Sequence, residues 1–159
     1  MLLYLLRHAD AEPSARSDAA RRLTEKGVIQ AKTVGWFCRE HRLIPELILT
    51  SPIERAEQTA HLVAAEIEQP KIVLSAPFLA CGMDPKTALE ELAGYKALGS
   101  VMLVGHEPDL GWLASTLLGA GSQGKIRIRK ASLTVFELDV TRPESAELQF
   151  SIPAKLMEG

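Results

Sequence analysis

Leu2-Leu3-Tyr4-Leu5-Leu6-Arg7-His8-Ala9-Asp10 is the stretch on which the reading of this chain turns. An unbroken apolar run stopped abruptly by charge reads as a short strand buried on both faces, because a half-exposed strand would alternate. Such a strand belongs inside a parallel sheet, and it delivers Arg7 and His8 at its carboxyl end. Two further apolar runs also stop abruptly. Leu47-Ile48-Leu49 stops at Thr50-Ser51-Pro52, and Val101-Met102-Leu103-Val104 stops at Gly105-His106. Lys71 to Leu74 reads as another strand.

Helices fill the intervals. Thr24 offers an N-cap to a helix from about Glu25 to His41, with Val28, Ala31, Val34 and Cys38 at helical spacing. Pro52 suits the first turn of a helix running to about Ile67, Pro85 opens one to about Gly94, and Pro108 opens one through Leu118. The tail differs: Leu133 to Leu138 and Leu148 to Ile152 read as strands with no helix between them. Strand–helix alternation of this kind predicts an α/β fold, with a mostly parallel sheet covered on both faces and an antiparallel edge or hairpin at the C-terminal end. A single domain over residues 1–159 is expected, since that length supports one sizeable core.

The formal net charge is −2, which gives no general attraction to nucleic acid or an acidic membrane. No apolar run is long enough to span a bilayer, and the apolar start is too short for a secretory leader and lacks a preceding basic region. Cys38 and Cys81 stand far apart, in no metal-binding pattern, and read as reduced thiols of a cytoplasmic protein.

In sheets of this kind ligands sit at the carboxyl ends of the strands. His8, Ser51 and His106 each lie just past such an end and can converge on one rim. Arg7 comes with His8, Arg55 lies one turn into the next helix, and Glu107 stands behind His106. Two guanidiniums beside two imidazoles repel a metal ion, so no metal and no cofactor is expected. The same group suits an oxyanion: arginine presents a fork of donors matched to phosphate oxygens. A dianionic phosphoryl group would be balanced by Arg7, Arg55 and a protonated His106, leaving His8 to attack phosphorus in line. For that His8 must be neutral, which the neighbouring arginines favour. A hydrogen bond from its other nitrogen to a backbone carbonyl would fix the tautomer. Phosphoryl transfer needs chiefly positioning and charge stabilisation.

The segments LLRHAD, RRLTEKG, ILTSPIERAEQTA, CGMD and MLVGHEPDLG resemble the histidine phosphatase superfamily, and within it the short SixA-type phosphohistidine phosphatases. The resemblance implies His8 as nucleophile, Arg7 and Arg55 as phosphate clamps, His106 as transition-state donor, and a phosphohistidine intermediate resolved by water. It also implies a three-layer α/β/α sandwich of phosphoglycerate mutase-like architecture. Ala9 stands where the family usually has glycine. Larger members carry an acid in a long insertion after the third strand, whereas here the stretch from Leu74 to Cys81 is short and holds no Asp or Glu. An alkoxide leaving group needs a well-placed acid, while an imidazole can be protonated before it leaves. The expected substrate is therefore phosphohistidine on a signalling protein, admitted by an open site, and the enzyme is expected to be a monomer. A general phosphomonoesterase on the same fold, or an idle phosphate-binding regulatory module, are the alternatives.

The donor acid stays open among Glu107, Asp84, Asp10 and Asp18. Glu107 reads equally as a helix cap or as a contact to the substrate phosphate, a role Ser51 can share. Asp18 reads as organising its loop with Arg21, which in turn is a candidate extra phosphate contact. Cys81 lacks the following arginine that cysteine phosphatases need. The alternating Lys125-Ile126-Arg127-Ile128-Arg129-Lys130 predicts a strand with one buried and one charged face that protects a sheet edge, with a docking strip for an acidic protein as the second reading. His41 and His61 are expected in surface or packing roles, and Trp36 and Trp112 in the core or at its margin.

Overall fold

Successive side chains of β1 (Leu2–Arg7) point to opposite faces, and both faces are covered. Leu3 and Leu5 join one apolar cluster, Tyr4 and Leu6 the other, which accounts for the unbroken run. The structure, a computed structural model, describes residues 1–121 and 124–157. Residues 122–123 and 158–159 of the expected 1–159 domain lie outside the described residues.

After β1 come α1 (Glu25–Glu40), β2 (Leu47–Thr50), α2 (Glu54–Glu66), β3 (Val73–Ser75), α3 (Pro85–Ala93), β4 (Ser100–Gly105), α4 (Asp109–Leu117), β5 (Ser132–Asp139) and β6 (Arg142–Pro153). The sheet order is β3-β2-β4-β1-β5-β6. β3, β2, β4 and β1 run parallel, and β5 and β6 form the antiparallel hairpin at the far side. Ala31, Val34 and Cys38 of α1 pack with Ala56, Ala60 and Val63 of α2 on one face. Ala88 and Leu92 of α3 pack with Leu110, Leu113 and Leu117 of α4 on the other. These are the three layers expected. Among the described residues no helix is long and apolar enough to cross a membrane.

Thr24 caps α1 as its sequence position predicts, its hydroxyl accepting from the Gly27 amide at 3.0 Å. The same Thr24 is tied to the loop after β1: its amide donates to the Asp10 carbonyl at 3.1 Å and its hydroxyl to Asp10 Oδ2 at 2.8 Å. Gly27 makes this approach possible, because a Cβ there would fall 1.9 Å from the Asp10 carbonyl oxygen. Gly27→Ala is therefore expected to force helix and loop apart at a cost of about 2 kcal/mol or more. The melting temperature should drop by about 5 °C or more; an unchanged value would show that the loop yields freely.

Four expectations are corrected. Pro52 lies outside α2, which starts at Glu54 with Ile53 as its cap residue, because Ser51 Oγ accepts from the Ile53 amide (3.3 Å) and turns the chain first. β6 begins at Arg142, well before Leu148; as an edge strand it leaves polar residues in solvent and shows no apolar pattern there. Trp112 is an exposed residue at 48%. Residues 125–130 form no strand of the sheet. β4 and β5 occupy both edges of β1, and β1 and β6 those of β5, so the segment has no free partner there and crosses the carboxyl end of β1 instead. The Ala131 amide lies 3.1 Å from the Arg7 carbonyl and 3.2 Å from that of His8.

Candidate active site

β1, β2 and β4 end level with one another, so His8, Ser51 and His106, each the next residue, come together as their positions predict. The His8 amide donates to the Gly105 carbonyl (3.0 Å) and the Ser51 amide to that of Val104 (2.9 Å), which extends the ladder just past the strands. His8, Ser51, Arg55 and His106 are 6%, 0%, 4% and 2% exposed. The two imidazoles face each other with centroids 5.2 Å apart and planes tilted by 55°.

One contact decides the chemistry of His8. Its Nδ1 lies 2.8 Å from the Ala9 carbonyl oxygen. A carbonyl only accepts, so Nδ1 carries the proton and Nε2 carries the lone pair. Arg55 Nε donates toward that lone pair at 3.3 Å. The other two nitrogens of the Arg55 guanidinium bond to Asp18, Nη1 donating to its carbonyl (2.9 Å) and Nη2 to its Oδ2 (3.1 Å). Cys81 Sγ is 3.8 Å from Nη2. Arg7 Nη1 donates to the Ile128 carbonyl at 3.1 Å, and His106 Nε2 is 2.8 Å from Ser51 Oγ. Arg7 Nε and His106 Nδ1 are buried without a hydrogen-bond partner among the described residues. Unpaired buried polar atoms are costly and gather at functional sites.

Burial, more than the charges of Arg7 and Arg55, brings His8 down to a pKa of about 3. Burial likewise brings His106 to about 4, with Arg55 adding to the effect and Asp18 opposing it. Without an anion both rings are neutral at pH 7. On unfolding they regain the ordinary value of 6.5, so below that value the unfolded chain binds more protons than the folded one. Their stabilising contribution is complete above 6.5 and falls as the pH drops toward the folded values. Glu107, whose pKa burial raises, acts with the opposite sign. A His106→Gln variant isolates the imidazole: between pH 7 and pH 5 its urea midpoint should fall less than that of the wild type. Parallel falls would mean that His106 is not held neutral by the fold.

The four candidate acids separate clearly. A hydrogen bond from Arg21 holds the Asp18 carboxyl low, one from Lys130 does so for Asp10, and the Thr87 amide does so for Asp84, the N-cap of α3. Glu107, which precedes the cap residue Pro108 of α4, accepts from the Gly111 amide in the first turn at 2.7 Å. Arg21 is committed to its loop, with Nε and Nη2 on Asp18 and Nη1 on the Glu12 carbonyl. Among the described residues, no three His, Cys, Asp or Glu side chains are grouped to hold a metal ion.

Two supports went unnoticed in the sequence. Thr59 Oγ1 accepts from the Ala9 amide (3.1 Å), and Gln58 Oε1 from the Leu23 amide (2.8 Å). Thr59 lies one helical turn beyond Arg55, so one face of α2 holds both the guanidinium and the backbone after His8; that i, i+4 spacing was the available signal.

The sequence model of the histidine phosphatase superfamily (branch 1) matches residues 3–76. Phosphohistidine phosphatase SixA of Escherichia coli is 29% identical over 74% of this chain and 74% of its own length. The SixA homolog of Haemophilus influenzae is 31% identical over 75% of this chain and 78% of its own. Among solved structures, the protein histidine phosphatase SixA complexed with tungstate superposes with a TM-score of 0.90 at 22% identity, covering 99% of this chain and 100% of that one. The architecture is thus the phosphoglycerate mutase-like one expected.

Proposed function

The chain belongs to the histidine phosphatase superfamily, as a phosphatase of the SixA type, and from that premise we propose that it hydrolyses phosphohistidine on a protein through a covalent intermediate at His8 Nε2. The observation that carries this reading is the 2.8 Å contact between Nδ1 and the Ala9 carbonyl, which leaves the lone pair of a neutral imidazole on Nε2, facing Arg55 and beside the His106 ring.

In this reading the phosphoryl group enters between the two rings. Its charge draws the outer N–H groups of Arg55 from Asp18, and Arg7 balances it from the other side. The anion favours protonation of His106, which Ser51 orients, so that His106 donates to a phosphoryl oxygen. Nε2 of His8 forms a bond to phosphorus as the bond to the substrate imidazole breaks, and that imidazole departs neutral because its ring was protonated beforehand. Water then attacks phosphorus, the bond to Nε2 breaks, and inorganic phosphate leaves with His8 neutral again.

The short stretch between β3 and α3, residues 76–84, supports an open entrance, and two unlinked thiols fit a cytoplasmic setting. Three of the four candidate acids are held ionised, which suits an imidazole leaving group better than an alkoxide. Phosphate release from a histidine-phosphorylated protein, measured with and without EDTA and beside phosphoglycerate, tests the reading. Release indifferent to EDTA and much faster than from phosphoglycerate is expected. Rapid turnover of phosphoglycerate with little on phosphohistidine would instead assign a general phosphomonoesterase.

A further inference from the structure

Residues 125–130 alternate basic and apolar side chains, yet they belong to no sheet. Ile128 is buried and Ile126 half-buried against the α4 side of the core. The backbone lies so close to α4 that a Cβ on Gly111 would fall 2.4 Å from the Ile126 carbonyl oxygen. At the site itself, Arg7 Nη1 holds the Ile128 carbonyl, and the Ala131 amide bonds to the carbonyls of Arg7 and His8. The segment is therefore fixed to the backbone that carries the nucleophile candidate.

With the isoleucines turned inward, Lys125, Arg127, Arg129 and Lys130 are exposed. Lys130 is paired with Asp10 at 2.8 Å. Among the described residues the other three are in no ion pair. The nearby Glu107 is spent on the Gly111 amide and is half-buried. Three unneutralised cations in six residues, on a chain of net charge −2, make a local positive strip at the rim of the site.

We propose that Lys125, Arg127 and Arg129 form a docking strip for an acidic surface of the protein that presents the phosphohistidine, a proposal that rests on the function inferred above. A histidine on a folded protein reaches His8 only if the surrounding surface comes down onto this rim, and the strip meets it there. Complementary charge on such a rim acts mainly on encounter, so it raises kcat/KM and is weakened by salt. A free phosphohistidine brings no acidic protein surface to the strip.

The test uses the full chain and two substrates: N-phosphohistidine as the free amino acid, and an acidic carrier protein phosphorylated on a surface histidine with phosphoramidate. Arg127→Gln/Arg129→Gln is compared with Lys71→Gln/Lys96→Gln, which removes equal charge from exposed positions preceding β3 and β4, at the opposite end of the sheet. At low salt the strip variant should lose about tenfold or more in kcat/KM on the carrier while staying within about twofold on the free amino acid. The loss should shrink in high salt and with a carrier whose acids around the histidine are changed to amides, and the control variant should match the wild type.

Equal losses on both substrates, no loss on either, or equal effects in the control variant would overturn the docking strip. So would a nucleic-acid oligonucleotide that inhibits the wild type strongly and the strip variant weakly, since it would give the strip to nucleic acid. A wild type active on the free amino acid but not on the carrier removes the strip and keeps the phosphatase. Inactivity on both removes the phosphohistidine reading and the strip with it.

Discussion

His8→Gln is expected to lower turnover of phosphohistidine by about 10,000-fold or more, the scale on which a catalytic unit fails when its nucleophile is removed. Glutamine keeps a polar side chain of similar reach, so it can still bond to the Ala9 carbonyl, but its amide has no lone pair suited to attack phosphorus. The fold should survive, because His8 is neutral in the folded chain and the swap leaves no buried charge. Acid tolerance should even improve, since one group that gains a proton on unfolding is gone. A measured loss below tenfold, in a variant with native melting behaviour, would move the nucleophile to another residue.

Arg55 carries the second large effect. Its Nη1 and Nη2 are held by Asp18, which is an exposed residue, so a phosphoryl group can take over both bonds at little cost to the loop. Two charge-assisted bonds at about 1.5–3 kcal/mol each correspond to about 100- to 10,000-fold in kcat/KM for Arg55→Ala. Arg55→Lys keeps the charge but loses the planar fork and the Nε contact to His8, and is expected to recover only part of that loss. Competitive inhibition by inorganic phosphate should weaken in the same order. A lysine variant equal to the wild type would show that charge alone matters at this position.

Where pattern reflects burial on both faces, sequence reading reached the structure. β1 could be read because Leu3 and Leu5 meet one core and Tyr4 and Leu6 the other, and α1 because Thr24 is a real cap. The placement of His8, Ser51 and His106 followed from apolar strands that stop abruptly at polar or turn residues. Where contacts are made by backbone or by distant side chains, the sequence was silent. β6 starts at Arg142 because edge pairing needs no apolar residues on its solvent side. Residues 125–130 carry the period of a strand, but that period records only which side chains face the core; pairing also requires a free edge nearby, and β1 and β5 beside the segment are both paired on both sides. The grip of Asp18 on Arg55 joins positions 37 apart in sequence, and no local pattern announces it. Burial as the main cause of the low His8 pKa likewise depends on the assembled core, whereas the adjacent charges could be read directly.

Covalent chemistry at His8 is tested most directly by trapping the intermediate. The wild type is mixed briefly with phosphorus-labelled phosphohistidine, quenched in alkali, and assayed for protein-bound label that acid removes. Label is expected on the peptide containing His8 at up to one equivalent, and none on His8→Gln or His8→Ala. Absence of label from a wild type that is turning over at the same moment, or equal label on the His8 variants, would contradict a phosphohistidine intermediate at this residue.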